Sequence, residues 1–421
     1  MRAFRLDVRR RGFLKSALFF LLAFFLLLFP KGGIKVGGVP ITWGYLLLGI
    51  LGVFFSLRKR FVILSSRLRC LLLLLPFQIL SFLTLIINGV ENFGFTIAFL
   101  ISFQFLPLLF FLILSDSIEH LSLDTLLRFL RMGVLFLATY GIFLFFYRYI
   151  AGKWIEIPFL TINYHDMGAL DDKNIGRGGG VFKLISTYNN GNIYGICMLM
   201  LLPLYNLCEN SFVRKTLVKL SILLTLSRTV WLGLFFSELL YDFMIRRGSR
   251  WIKYKFLFVF AFFGSAIIYM TYQFDFDIAF LLDRTLGNRV DQLEYFITAN
   301  LLSSDSFDGI VEIVYMGILK NFGWLGLITF LLGMTGPLWI KLLKDHRRRQ
   351  SPFEKALSAS LLIYLFISLA DGAILFIPTM VFYWFIASLM QRREFHYCIS
   401  ARGTVSINPN SIKYSRFSLT N

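Results

Sequence analysis

Cysteine pairs at metal or disulfide spacing are missing from this chain. The four cysteines, Cys70, Cys197, Cys208 and Cys398, form no CxxC, so neither a disulfide framework nor a zinc site is indicated. Strands that alternate polar and apolar residues like those of a membrane barrel are absent. So is any internal repeat, parallel or inverted. The basic start, MRAFRLDVRRRGFLKS, leads into an apolar run ending at Phe29. That run has no small-x-small cleavage site, which favours a retained first span over a signal peptide. The polar segments hold no Asp, Glu or His group at divalent-metal spacing.

What the chain has is hydrocarbon. Of its 421 residues, 57% are hydrophobic and 18% aromatic, and the mean hydropathy is +0.70. A soluble domain cannot carry that much apolar surface, and repeated runs of about 20 residues mark membrane spans. With no water in the bilayer core the backbone must satisfy itself, so the runs are helices. After the first, they lie at about 41–57, 70–88, 94–114, 132–150, 193–208, 213–227, 229–245, 256–273, 322–343, 356–371 and 373–390. The expectation is an all-α, polytopic integral membrane protein, a single transmembrane domain over 1–421 with about twelve transmembrane helices.

The net charge of +19 does not indicate nucleic acid, because the basic residues cluster at the ends of apolar runs, where they set orientation and meet lipid headgroups. Arg9, Arg10 and Arg11, the cluster from Arg58 to Arg69, Arg128 and Arg131, Arg214 and Lys215, the cluster from Arg246 to Lys255, Lys344 to Arg349, and Arg392 and Arg393 all fall on one face when the spans alternate. That face is cytoplasmic by the positive-inside rule, with both termini and the tail 391–421 inside. Lys31 and Lys35 are the exceptions. Segment 115–131 has apolar residues at helical spacing and is expected to lie along the inner surface. The tail from 394 is expected to be loosely ordered. Two long polar segments, 151–192 and 274–311, then face outward, and loops of such length are functional or disordered.

Three patches there carry candidate chemistry. In GRGGGVFKLISTYNNGNIYG, Arg177 precedes glycines that permit close approach to a ligand, and Asn189, Asn190 and Asn192 offer amide donors. A turn with helix caps reads the same residues equally well. In LLTLSRTVWLGL, Arg228 sits at a tight hairpin tip. It is either a rigid fork for phosphate or a snorkelling side chain. In the second outer segment, Arg284 and Arg289 precede Glu312, expected four residues into a helix with Tyr315 one turn on. Glu312 has the chemistry of a general base toward a sugar hydroxyl or of a plain salt bridge.

These patches, in this order, resemble the O-antigen polymerase and O-antigen ligase superfamily of bacterial inner-membrane glycosyltransferases. The resemblance covers roughly 175–345 and rests on STYNNGNIYG, LTLSRTVWLGL, GNRVDQLEYF and EIVYMGILKNFGWLG. In ligases of the family the polar residue opening the last element is typically His. Here it is Glu312, and no His occurs in 274–311 or in the helix that follows, which favours a polymerase. The resemblance implies a GT-C-like fold, no cofactor, and a polyprenyl-pyrophosphate-linked glycan as both donor and acceptor. It implies the lipid bilayer and a chain-length regulator as partners, and a site facing the periplasm. Arg228 and Arg289, with Glu312, would be catalytic; Arg177, Arg284, Asn189, Asn192 and Tyr315 would bind substrate. The rival readings are a ligase acting on lipid A core or protein, and a lipid-glycan flippase. The latter should show repeats or charge at mid-membrane, for which Asp371 is a candidate, though a hairpin tip suits it better.

Overall fold

The computed structural model describes residues 20–36, 39–56, 64–172, 182–246, 289–344, 350–392, 397–399 and 405–407. Helix dominates, as the apolar runs require. A helical stretch over 20–27 leads to a small hairpin, β1 (Gly33–Val36) paired antiparallel with β2 (Val39–Thr42). The long helices are α1 (Trp43–Ser56), α2 (Ser65–Asn88), α3 (Phe93–Ile113), α4 (Leu123–Ala151) and α5 (Gly191–Cys208). There follow α6 (Phe212–Leu223), α7 (Arg228–Tyr241), α8 (Val314–Lys344), α9 (Pro352–Ile367) and α10 (Ile377–Met390). A second hairpin, Tyr397–Ile399 with Val405–Ile407, stands in the tail that the sequence leaves loosely ordered.

Among the described residues, five helices are long and apolar enough to cross a membrane: α2, α3, α4, α5 and α8. The chain is thus an all-α protein with the marks of a membrane protein. The other apolar runs form shorter helices, and run 256–273 lies outside the described residues. Segment 115–131 is not one surface helix. A short helix, Ser115–Glu119, ends at His120, and α4 begins at Leu123. Leu126, Leu130, Val134 and Leu137 are all buried, so their shared period fuses the second half of 115–131 to the following span.

Helix α5 is the centre. Of its most apolar window, 78% is buried inside the protein, against 39–50% for the other four. Small residues let its neighbours approach: a Cβ at Gly195 would collide with Val230 of α7, and one at Gly233 of α7 would press on Leu199 of α5 and Ile367 of α9. Helix α8 lies along α2 in the same way, with Gly333 against Leu74 and Gly336 against Leu73. Close approach of this kind replaces the hydrophobic drive that lipid cannot supply.

Proline shapes α3. Pro107 has no N–H to give to the carbonyls one turn back, and the helix widens into π-turns over Ile101–Phe105 and Leu109–Ile113. Neighbouring side chains bond to carbonyls before Pro107, at Phe103 and Ser102, and after it, at Phe110. Gln78 Nε2 donates to Phe103 O at 2.7 Å, Trp384 Nε1 to Ser102 O at 2.8 Å, and Ser388 Oγ to Phe110 O at 2.9 Å. The cost of unsatisfied carbonyls in an apolar interior is thereby removed, and α2, α3 and α10 are locked together.

One end of the bundle is knotted by arginine. Arg67, counted by sequence among the inner loop charges, is instead fully buried in the first turn of α2. It donates to Ser115 O at 2.6 Å, to Ser115 Oγ at 2.7 Å and to Ser388 O at 3.2 Å, and meets Glu119 at 3.5 Å. Arg392 donates to the carbonyls of Glu119 and Leu121 at 2.6 and 3.1 Å. The candidate functional residues gather at the opposite end.

Candidate functional site

Four stretches distant in sequence meet at that end. The first is the Asn-rich entry to α5. Asn190 caps the helix, its Oδ1 accepting from the N–H of Asn192 at 2.9 Å and of Ile193 at 3.1 Å. This frees the Asn192 side chain, whose Nδ2 donates to Asp371 Oδ2 at 3.0 Å. Its Oδ1, sheltered from solvent, has no hydrogen-bond partner. Buried polar atoms are rarely left so. Asn189 does a different job. It turns the chain with φ 55°, and its Nδ2 donates to Thr161 O at 2.8 Å, closing segment 151–192 on itself.

The second stretch is the turn into α7. Leu224 O accepts from Leu184 N at 2.9 Å, and a Cβ on Gly191 would lie 3.4 Å from Thr225 O. The turn therefore rests on the start of α5, and Arg228, the first residue of α7, stands half-buried beside it. The Ser227 side chain makes no capping bond to the helix, so the first-turn N–H groups add their positive end to that of the guanidinium. A cation is disfavoured there and an anion favoured.

The third stretch is the loop between α9 and α10, which sequence reading divided between two spans. Residues 368–376 are not helical. Asp371 is buried there to 9% exposure, and Lys31 places its ammonium 4.6 Å from the Phe376 ring centre. The fourth is the approach to α8. Val314 N donates to Ser368 O at 3.2 Å and Ile313 N to Gln292 Oε1 at 3.0 Å. Glu312 is exposed just before them.

Glu312 is thus not within a helix: α8 begins two residues later, at Val314. The apolar Ile313 continues the helical pattern, but the N–H groups of Ile313 and Val314 bond to Gln292 and Ser368, so the helix starts at Val314 and Glu312 stays in the approach to it. Tyr315 is inside α8, and its hydroxyl donates to Leu365 O at 2.7 Å, tying α8 to α9. Arg289 opens a short helical turn, Arg289–Gln292. Arg177, Arg284 and the Arg289 side chain lie outside the described residues.

The structure therefore brings Asn192, the turn of Arg228, and Glu312 to one end, around a residue that sequence reading did not assign, Asp371. Lys31 and Gln292 were also missed. Lys31 did leave a signal, as one of two lysines that break the charge pattern. Among the described residues no group of three or more His, Cys, Asp or Glu is placed to hold a metal.

Compared with known proteins, the chain matches no family model, no curated protein and no solved structure.

Proposed function

We propose that the chain is a membrane glycosyltransferase that polymerises polyprenyl-pyrophosphate-linked oligosaccharide repeats into a surface polysaccharide on the outer face of a bacterial inner membrane. The observation that supports this most is the convergence of the Asn192, Arg228, Asp371 and Glu312 stretches at one helix-bundle end. Three of the four are elements on which the family resemblance rests. The proposal includes about twelve spans, a GT-C-like arrangement, cytoplasmic termini and a periplasmic site.

In this reading a hydroxyl oxygen of the acceptor sugar attacks the anomeric carbon of the donor. The bond from that carbon to the phosphate oxygen breaks, and its electron pair leaves with the pyrophosphate lipid. Arg228, at the positive end of α7, neutralises charge where it develops, and Arg289 shares that role in the family resemblance. Glu312, exposed at the mouth, takes the hydroxyl proton. Asn192 offers its amide to the substrate. The internal bonds of Asn189 and Tyr315 make them supports of the site's walls.

Purified protein given a defined lipid-linked repeat tests the reading. The expected product is a ladder of repeats still on the lipid, formed equally in excess chelator. Transfer only to lipid A core would establish a ligase, transbilayer movement without transfer a flippase, and rescue of a chelated enzyme by magnesium a metal-dependent reaction.

A further inference from the structure

Segment 289–302, RVDQLEYFITANLL, interleaves polar and apolar residues and is not used by the reaction above beyond Arg289. It holds two short helical turns, Arg289–Gln292 and Tyr295–Thr298. Five of its large apolar side chains point outward. Leu293, Phe296, Ile297, Leu301 and Leu302 are each at least half exposed, Ile297 to 85%. A loop bathed in water has no reason to gather and display them.

The height of the segment on the bundle is set by its backbone. Helix α8 breaks at Gly323, where φ is 71° and ψ is −172°. A Cβ there would collide with the carbonyls of Asn300 and Leu301. Those carbonyls accept from the N–H groups just past the break, Trp324 to Asn300 and Leu325 to Leu301, each at 3.1 Å. From Trp324 to Lys344 the helix rises about 30 Å, the thickness of a hydrocarbon core. Helix α2 gives the same level. It runs antiparallel to α8, with Leu74 at Gly333 and Leu80 at Gly326, and its last residue, Asn88, donates to Ser303 O at 2.8 Å. The break, and residues 300–301 bound to it, therefore stand about one turn inside the end of α2, at the rim of the apolar layer.

The displayed surface is continuous with flanks that face lipid. On α8, Leu325, Ile328 and Leu332 are exposed, and on α2, Phe82, Leu83 and Ile86. Phe296 meets Trp324 edge-on at 5.0 Å between ring centres. Lys320 sits 5.7 Å from the Tyr295 ring centre. Tyr, Trp and Lys at the edge of an apolar band are the side chains that anchor a protein at headgroup level.

We propose that residues 293–302 lie in the membrane interface, with Leu293, Phe296, Ile297, Leu301 and Leu302 covered by the acyl chains of one leaflet. The segment is an interfacial flap packed on the α8 break, like an amphipathic stretch that lies on a membrane without spanning it. This holds whether or not the chain transfers sugars.

Nitroxide labels on single cysteines test it in the full chain reconstituted in phosphatidylethanolamine–phosphatidylglycerol vesicles. Cys208 and Cys398 are replaced, while Cys70 and Cys197, being buried, remain. Ile297→Cys and Leu301→Cys are compared with Ile328→Cys, on the exposed face of α8, and with Ser304→Cys, beyond the end of α2. Oxygen concentrates among acyl chains, whereas a nickel chelate stays in water. The expected result is strong relaxation by oxygen and several-fold weaker relaxation by nickel at 297 and 301, as at 328 and opposite to 304. Nickel relaxation at 297 and 301 equal to that at 304 would place the flap in water. Exclusion of both reagents would mean that protein, from this chain or a second copy, covers it. Either result overturns the proposal.

Discussion

Asn192 and Asp371, 179 residues apart in the chain, share a hydrogen bond of 3.0 Å that fastens the start of α5 to the loop between α9 and α10. Asp371 also accepts from Ala373 N at 3.3 Å, so one carboxylate shapes its own loop and fixes the orientation of the amide. Hydrogen bonds to a charged group contribute about 1.5–3 kcal/mol. Asn192→Ala and Asp371→Ala are each expected to lower the unfolding free energy by about that amount, and together by clearly less than the sum, since partners in contact are not additive. Thermal unfolding of the two single variants and the double variant in detergent decides this. Strict additivity would show that the bond carries no coupling.

Arg228 is expected to be more demanding of its shape than of its charge. At the first position of α7 a Lys would preserve the cation but lose the planar fork that matches phosphate oxygens in pairs. Arg228→Ala should abolish polymer, and Arg228→Lys should leave at most about a tenth of the activity, equivalent to about 1.4 kcal/mol or more of transition-state stabilisation. Polymer length in membranes matched for protein content is the measurement. Wild-type lengths in Arg228→Ala would leave the side chain as a cation at a helix end and nothing more.

The helices were legible because apolar length is a one-dimensional signal. The ends of α5 and α8 and the hairpin turn at Arg228 fall close to where the apolar runs stop. Asp371 is legible as a charge at a hairpin tip between two spans but not as a site residue, because its partner Asn192 lies far away in sequence. The stretch DGIVEIVYMGILKNFG looks helical throughout, and only the bonds from Ile313 to Gln292 and from Val314 to Ser368 show that Glu312 precedes the helix. Arg67 looked like any cation of a basic loop. Only the packing of Ser115 and Ser388 around it shows that it is interior.

Arg67 should accordingly matter for stability and little for catalysis. Each hydrogen bond to a charged group contributes about 1.5–3 kcal/mol, and Arg67→Met removes those that Arg67 gives to Ser115 and Ser388. Arg67→Met is expected to lower the melting temperature and membrane yield by that mechanism, with turnover per folded molecule within about two-fold of wild type. A stable Arg67→Met protein would contradict the buried geometry of the knot.

Glu209, between α5 and α6, supplies a pH test outside the spans. Burial pushes its carboxyl upward in pKa, but the N–H groups of Ser211 and Asn210, both at 2.9 Å, and Arg214 at 3.4 Å outweigh burial and hold it below the usual carboxylate value. A carboxyl depressed in the folded state stabilises that state above its unfolded pKa, about 4.3. The contribution is lost as pH falls through the lower, folded value. The gap in melting temperature between wild type and Glu209→Gln should therefore be constant from about pH 7 to pH 5 and shrink below about pH 4. A gap that widens on acidification would reverse the sign of the shift.

Glu312 is the sharpest test of the chemistry. It stands exposed on a backbone held from two sides, by Gln292 at Ile313 and by Ser368 at Val314. Gln keeps the size of the side chain and its capacity to hydrogen-bond, and the backbone on either side is anchored by other residues, so Glu312→Gln should leave the fold intact. A carboxylate accepts a proton and its amide does not. Glu312→Gln should thus melt within a degree or two of wild type and lose turnover by about 10² to 10⁴, the usual weight of a general base. Glu312→Asp, with the same group on a shorter arm, should retain a measurable part. A structural ion pair predicts the reverse, with lower melting temperature and yield and specific activity little changed. Specific activity of monodisperse Glu312→Gln against a defined lipid-linked repeat separates the two. Activity within a few-fold of wild type would remove Glu312 from the reaction and leave the role of Arg228 to stand on its own substitutions.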